Sequence, residues 1–205
     1  MTGQRRRGPR GDVSAERIVT AAERVLDRGG LTALTLRRIA AEADVTPNAI
    51  YTYVPDMEAL RNRIGDRFLG TIDLAPLRDA PDAASLERFL RGVLERFRAA
   101  PARVEILASQ RVVGPHSLAL NEALLGFFDD AGLSEERGWS ATAFLTEWVH
   151  GAAILSASET PTPRFRAELE ATDLTAYPRT AAMLGESPAA DALNLVVHAL
   201  LGRDQ

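Results

Sequence analysis

The 205-residue chain holds 24 basic residues, all of them arginine, and 28 acidic residues, and 46% of it is hydrophobic. This composition is typical of a globular protein with a sizeable core. No apolar run is long enough to span a membrane, and no apolar stretch follows the basic N-terminus as in a signal peptide. Cysteine is absent, which excludes disulfide and thiolate chemistry and is consistent with a cytoplasmic protein.

The net charge of −4 is distributed unevenly along the chain. Up to Arg67 there are 12 arginines and 9 acidic residues, whereas from Phe68 onward there are 12 arginines and 19 acidic residues. A cationic front on an acidic body predicts that the two parts meet different partners. We therefore expect a flexible basic arm at residues 1–13, a first domain at residues 14–67 and a second domain at residues 68–205.

Helix signals recur throughout the sequence, whereas alternating strand patterns with hairpin turns do not, so the predicted fold is all-α. Ser14 is placed to cap a first helix that ends at Gly29-Gly30, because glycine adopts a left-handed backbone without steric cost. Thr35 is placed to cap a short second helix, LRRIAAEA. Asp44 follows at a turn where a left-handed residue is expected, and aspartate tolerates that conformation better than most residues.

The segment TPNAIYTYVPDMEAL, residues 46–60, predicts a third helix with an outer and an inner side. Thr46 suits the N-cap, Pro47 suits the first helical position, and Pro55 ends the helix. Asp56 then caps a long fourth helix. The inward residues are Ala49, Ile50, Tyr53 and Val54, and the outward residues are Thr46, Pro47, Asn48, Tyr51 and Thr52.

Two short helices joined by a tight turn, with the second facing solvent, are the elements of a helix-turn-helix. The second helix of that motif enters the major groove of DNA. Asn48 can bond adenine with both polar atoms of its amide, Thr and Pro can contact a thymine methyl group, and Tyr hydroxyls can bond phosphate oxygens. The alternative from composition alone is a surface helix whose tyrosines merely pack.

The stretches AAERVLDRGGLTAL and TLRRIAAEADVTPNAIYTYVPDMEAL resemble the DNA-binding domain of the tetracycline-repressor (TetR) family of bacterial regulators, over residues 14–68. The resemblance implies an N-terminal three-helix DNA-binding domain with a helix-turn-helix and a C-terminal helical domain for ligand binding and dimerisation. It implies that Thr35 and Arg37 contact the DNA backbone. The recognition helix would carry Thr46, Pro47, Asn48, Tyr51, Thr52 and Tyr53.

Two positions depart from the family pattern, which usually has Gly at Asp44 and often Lys at Met57. The second departure removes a phosphate contact, so we expect other cations to contribute more to operator affinity. Candidates lie in RRRGPRGD, a stretch without apolar residues that is expected to be disordered when free. Such an arm can follow the minor groove, and its alternative role is that of a solubilising tail. Its arginines are Arg5, Arg6, Arg7 and Arg10.

The second domain is predicted to contain helices around residues 86–97, 103–112, 117–130, 134–159 and 189–201, with a loop at TPTPR and irregular structure around Tyr177-Pro178. The region from Trp139 to Leu155 is apolar nearly all round and needs burial on more than one side. The last helix is similar, with Leu193, Val196, Val197, Leu200 and Leu201 on one side and Ala192, Leu195 and Ala199 beside them. The family resemblance implies that two such helices per subunit form a homodimer able to read a palindromic operator. The alternative is that both helices are simply buried in the monomer.

The resemblance also implies a small-molecule effector that releases operator DNA, and no cofactor is expected. The candidate lining is mainly aromatic and comprises Phe89, Val93, Phe97, Phe127, Phe128, Phe144, Glu147, Trp148 and His150. Each aromatic residue could equally be plain core. The Glu-x-x-His spacing of Glu147 and His150 is also that of di-iron bundles, which leaves a helical metal-dependent enzyme as a rival hypothesis. A third hypothesis is a DNA-binding module whose second domain contacts a protein partner.

Overall fold

In the computed structural model, which describes residues 14–156, 162–185 and 192–202, every regular element is helical. The predicted all-α fold is confirmed. Within these ranges a short 3₁₀ helix at Ala75–Arg78 accompanies eleven α-helices: α1 Ala15–Ala33, α2 Leu36–Ala43, α3 Pro47–Ile50, α4 Met57–Leu69, α5 Ala83–Arg98, α6 Pro101–Ser109, α7 Pro115–Asp130, α8 Glu135–Ser156, α9 Pro163–Ala171, α10 Pro178–Gly185 and α11 Ala192–Leu201. No helix within the described ranges is long and apolar enough to cross a membrane.

The first four helices begin at the residues that the capping signals predict, with Ser14, Thr35, Thr46 and Asp56 at their N-caps. The Ser14 hydroxyl accepts a hydrogen bond from the Arg17 amide at 3.2 Å, and the Asp56 carboxylate accepts one from the Ala59 amide at 2.7 Å. These bonds satisfy amides that have no partner inside the helix. The predicted glycine break is present, because Gly30 has φ 68° and interrupts helical geometry near the end of α1.

Helix α4 packs into two separate hydrophobic clusters. Its Leu60 and Ile64 are fully buried among α1, α2 and α3, together with Ile106 from α6. Its Phe68 is buried in the larger cluster formed by α5, α7, α8 and α11. The domain boundary predicted between residues 67 and 68 therefore falls within a single continuous helix, and it stays a prediction.

Helices α9 and α10 occupy sequence for which we predict a loop and irregular structure. Thr162 caps α9 by accepting a hydrogen bond from the Phe165 amide at 3.1 Å, and Pro163 takes the first helical position. Arg164 and Glu168, one helical turn apart, form an ion pair at 2.9 Å. None of the described residues of α9 and α10 belongs to either hydrophobic cluster, so no apolar stripe identifies these helices in the sequence.

Candidate nucleic-acid interface

The turn between α2 and α3 has the backbone geometry that a helix-turn-helix requires. Asp44 adopts the left-handed conformation predicted for it, with φ 53° and ψ 50°. Its amide donates to the Ala41 carbonyl at 3.3 Å, and the next amide, of Val45, donates to the Ala40 carbonyl at 2.9 Å. These bonds close the C-terminus of α2 and reverse the chain into α3, so an aspartate performs the role that glycine usually has in such turns.

Helix α3 is short, and its outer side is exposed as predicted. Regular α-helix covers only Pro47–Ile50 and continues as turns to Tyr53. Ile50 and Val54 are each 1% exposed and anchor the inner side, whereas Tyr51 is 50% exposed. Tyr53 is half-buried against the N-terminal cluster. The solvent-exposed residues are Thr46, Pro47, Asn48, Tyr51 and Thr52.

The two residues expected to contact the DNA backbone, Thr35 and Arg37, lie exposed at the start of α2. The Thr35 hydroxyl accepts from the Arg38 amide at 3.4 Å and so marks the helix N-terminus. Arg37 forms no ion pair with any residue in the described part of the chain. The arm arginines Arg5, Arg6, Arg7 and Arg10 lie outside the described residues.

Three arginines of α1 form polar contacts with the C-terminal part of α2, and these contacts were not predicted from the sequence. The guanidinium of Arg17 donates to the carbonyl of Ala43 at 2.8 Å, which places a cation at the C-terminus of α2. Glu42 pairs with Arg24 at 3.7 Å and hydrogen-bonds Arg28, and that hydrogen bond lowers the pKa of the Glu42 carboxyl below its ordinary value. Positions 17, 24 and 28 share one helix face, and that spacing was the signal in the sequence.

Ion pairs also attach α1 to the helices that follow. Arg67 of α4 pairs with Glu16 at 3.2 Å and with Glu23 at 3.6 Å. Burial raises the pKa of the Glu23 carboxyl, while Arg67 and Arg103 act in the opposite direction. Arg103 of α6 also holds Asp27 through two hydrogen bonds. The helix-turn-helix is thus fixed to α4 and α6 by charged contacts as well as by the apolar cluster.

Two sequence profiles match the chain. The profile for bacterial regulatory proteins of the tetR family matches residues 18–64, which hold the helix-turn-helix. The profile for the tetracyclin repressor-like C-terminal domain matches residues 79–197, more than half of the chain. The chain belongs to the TetR family.

The relatives of this TetR-family chain agree with that assignment. It is 32% identical, over 154 residues, to the HTH-type transcriptional repressor DrrR1 of Streptomyces coeruleorubidus; the match covers 74% of this chain but only 57% of that protein. ActR of Streptomyces coelicolor, solved in complex with actinorhodin, has a TM-score of 0.81 at 22% identity, with 93% of this chain and 97% of that chain covered. BioQ, solved with its double-stranded DNA operator, has a TM-score of 0.65 at 22% identity, with 94% and 100% covered. These structural similarities show the shared fold.

Most of the predicted effector residues lie in the core of the second domain. Five are buried there: Phe89, Val93, Phe97, Phe127 and Phe128. Trp148 is half-buried against that core, Phe144 is 46% exposed, and Glu147 is exposed. With His150, whose ring packs on Phe97, the structure brings seven of the nine residues together around one core, and their role in contacting an effector stays a prediction.

His150 is the one predicted effector residue with an unusual polar environment. Its Nδ1 lies 2.6 Å from the Thr146 carbonyl oxygen, which can only accept, so Nδ1 carries a proton and Nε2 is an acceptor in the neutral ring. Nε2 is buried and has no hydrogen-bond partner among the described residues. The ring meets Phe97 edge to face at 5.4 Å between centroids, and Phe97 lies 5.6 Å from Phe68 of α4. Three rings thus connect α8 to the helix that carries the DNA-binding unit.

Two surface clefts lie elsewhere. A cleft of about 440 Å³ between α1 and α2 is lined by Val25, Arg28, Gly29, Ala33, Arg38, Ala41 and Glu42. A smaller one of about 140 Å³ lies between α8 and α11. None of the nine predicted effector residues lines either cleft. Within the described residues no group of three or more His, Asp or Glu side chains is arranged to hold a metal ion, and Glu147 is exposed whereas His150 is half-buried.

Proposed function

We propose that this TetR-family chain is a transcriptional repressor that binds a palindromic operator as a homodimer and is released by a small, mostly apolar effector. The observation that carries the proposal is the exposed polar side of α3. The buried side chains of Ile50 and Val54 fix its orientation, and the left-handed turn at Asp44 precedes it. Solubility alone does not require that exposed polar side chains keep a fixed orientation. A side chain that reads a base edge does need one.

The chemistry of the exposed side fits operator DNA. Asn48 presents a free amide at the start of α3, where the helix-turn-helix motif contacts base edges. The hydroxyl of Thr46 makes no capping bond to α3 and is available to a base or a phosphate. Thr35 and Arg37 lie exposed at the N-terminal end of α2 and suit the DNA backbone. The relative BioQ, which shares the fold, has been solved on operator DNA.

Exposed apolar side chains on α8 and α11 support the homodimer. Trp139 is 56% exposed and Leu155 71% exposed on α8, and Leu195 is 71% exposed on α11. A Cβ added at Gly151 would meet nothing within 4 Å, so the surface of α8 is open at that point. The inner side of α11 already packs on the core through Val197. A second copy related by a two-fold axis would cover these exposed side chains with the same residues of its own α8 and α11.

The effector is proposed to contact the core at His150 and Phe97. A buried acceptor without a partner is costly unless something donates to it, and an effector hydroxyl or N–H group would do so. The surrounding side chains are aromatic and aliphatic, which favours a ring system over a charged metabolite. These residues line neither of the two clefts described above, and we propose that the effector binds a conformation in which the core opens.

The test begins with DNA selected from a random duplex pool by the purified protein. We expect a two-fold symmetric motif bound by one dimer, with half-sites about one helical turn apart or somewhat more. A protein that binds one half-site as a monomer, with unchanged affinity, would refute the proposal. Actinorhodin, with which ActR has been solved in complex, is the first effector probe. Its binding should quench the fluorescence of Trp148. Operator DNA should weaken actinorhodin binding by the same factor by which actinorhodin weakens operator binding.

A further inference from the structure

One face of α4 is joined by hydrogen bonds to the segment that leads from α6 into α7. The Asn62 amide donates to the Val113 carbonyl at 2.7 Å, and the Val113 amide donates back to the Asn62 side-chain oxygen at 2.9 Å. One turn earlier, the Gln110 side chain donates to the carbonyl of Glu58 at 3.2 Å. One turn later, Asp66 continues the row. The anchors at positions 58, 62 and 66 span about 12 Å of the helix axis.

Asp66 caps α7 although it belongs to α4. Its carboxylate is 8% exposed and accepts hydrogen bonds from the amides of His116, at 3.1 Å, and Ser117, at 2.9 Å. These are the second and third residues of α7, the first is Pro115, which has no amide hydrogen, and the amide of the N-cap residue Gly114 donates to the Ser117 hydroxyl at 2.9 Å. All the amides that a helix start normally leaves unpaired are therefore satisfied, two of them by another helix.

Two glycines allow α4 and the start of α7 to approach each other closely at this contact. At the N-cap position of α7 stands Gly114, where a Cβ would come within 2.4 Å of the Asp66 carboxyl carbon. Facing the same segment, Gly65 of α4 has no room for a Cβ, which would lie 2.7 Å from a methyl group of Val112. A Ser, Thr or Asp at position 114 could cap α7 locally, but the chain places there the one residue that admits a carboxylate from α4.

We propose that Asn62 and Asp66 are positioning residues that lock the DNA-binding unit to the second domain and thereby set the separation of the two recognition helices in the dimer. The inference rests on the proposed dimeric, operator-binding function. Helix α4 carries the DNA-binding unit through Leu60 and Ile64, so any tilt or slide of α4 against α7 moves α3. Anchors spread along the helix resist both motions, since either one would break bonds to a buried carboxylate.

The experiment measures tolerance to operator spacing. Starting from the operator selected by the wild-type protein, duplexes are made with the half-sites moved together or apart by one and two base pairs. A locked dimer should lose at least about tenfold in affinity at two base pairs of displacement. In Asp66→Ala and Asn62→Ala the same half-site motif should be selected, but the loss should shrink to less than about threefold. Asp66→Asn, which keeps an acceptor oxygen, should restore part of the strictness.

Matched controls remove exposed polar side chains from α7 itself: Asp129→Ala for Asp66→Ala and Asn121→Ala for Asn62→Ala. Both should retain the full spacing penalty. If Asp66→Ala does not fold, Asn62→Ala decides alone, since its side chain lies at the half-buried edge of the contact. Folded variants that keep the wild-type penalty, or that lose affinity equally for every spacing, overturn the proposal. A wild-type protein that selects no two-fold motif instead refutes the dimeric operator function, so the two failures are distinguishable.

Discussion

Replacing Leu195 with glutamate should separate the proposed dimer. Leu195 is 71% exposed in the single chain, so most of its burial would come from a partner. Burying a leucine side chain contributes about 1.5–3 kcal/mol, and a two-fold interface contains the residue twice, which gives about 3–6 kcal/mol for the dimer. A dissociation constant raised by about 10² to 10⁴ follows from that range, before the cost of burying a carboxylate.

Sedimentation equilibrium over a range of protein concentrations measures this change. Leu118→Glu is the matched control, because Leu118 is 59% exposed on α7, outside the two helices assigned to the interface. Circular dichroism and thermal unfolding should show that both variants stay folded. If Leu195→Glu dimerises as tightly as the wild-type protein, or if Leu118→Glu dissociates equally, the assignment of α8 and α11 to the interface is refuted.

Three further predictions address the DNA-binding unit. Removal of residues 1–11 takes away four arginines. The slope of log K for operator binding against log salt concentration should then decrease in magnitude by at most about 3.6. An unchanged slope would show that the arm does not contact phosphates. Asn48→Ala should relax base preference at one position per half-site at a cost of about 1–3 kcal/mol, read from the selected motif; the same motif in both proteins would contradict base reading. Because the hydrogen bond from Arg28 lowers the pKa of Glu42, charged Glu42 stabilises the fold above the ordinary glutamate pKa, and this contribution disappears as pH falls through the lowered value. The melting temperature of the wild-type protein should therefore fall more steeply than that of Glu42→Gln between about pH 5 and pH 3, and parallel curves would show that the contact contributes nothing.

The parts of the fold that could be predicted from the sequence depend on contacts between near neighbours. The caps at Ser14 and Asp56 and the left-handed turn at Asp44 each involve residues within three or four positions, so the local sequence specifies them. By contrast, the hydrogen bonds between α4 and the start of α7 join residues about fifty positions apart, so no local sequence pattern predicts them. The role of Gly114 as the space for Asp66 likewise depends on the packing of two helices.

The site was only partly predictable for a different reason. Exposure of Asn48 and Tyr51 follows from helical periodicity once Ile50 and Val54 are assigned to the inner side. The aromatic residues of the second domain carry no comparable sign, because burial in a core and contact with a ligand call for the same side chains. The unpaired Nε2 of His150 distinguishes one of these residues, and that distinction depends on the proton position set by Thr146.

The burial of Ile106 bears on how such regulators can be recombined. This α6 side chain is 0% exposed in the cluster of the first three helices, and its neighbour Arg103 holds Asp27 of α1. In a chimera that carries residues 14–67 on the second domain of another family member, the position of Ile106 would be occupied by a residue of that other protein. A smaller side chain there should cost about 2–5 kcal/mol, a large fraction of the stability of a small helical unit. Exchange of operator specificity between relatives is therefore expected to succeed only when the segment around Ile106 travels with the helix-turn-helix.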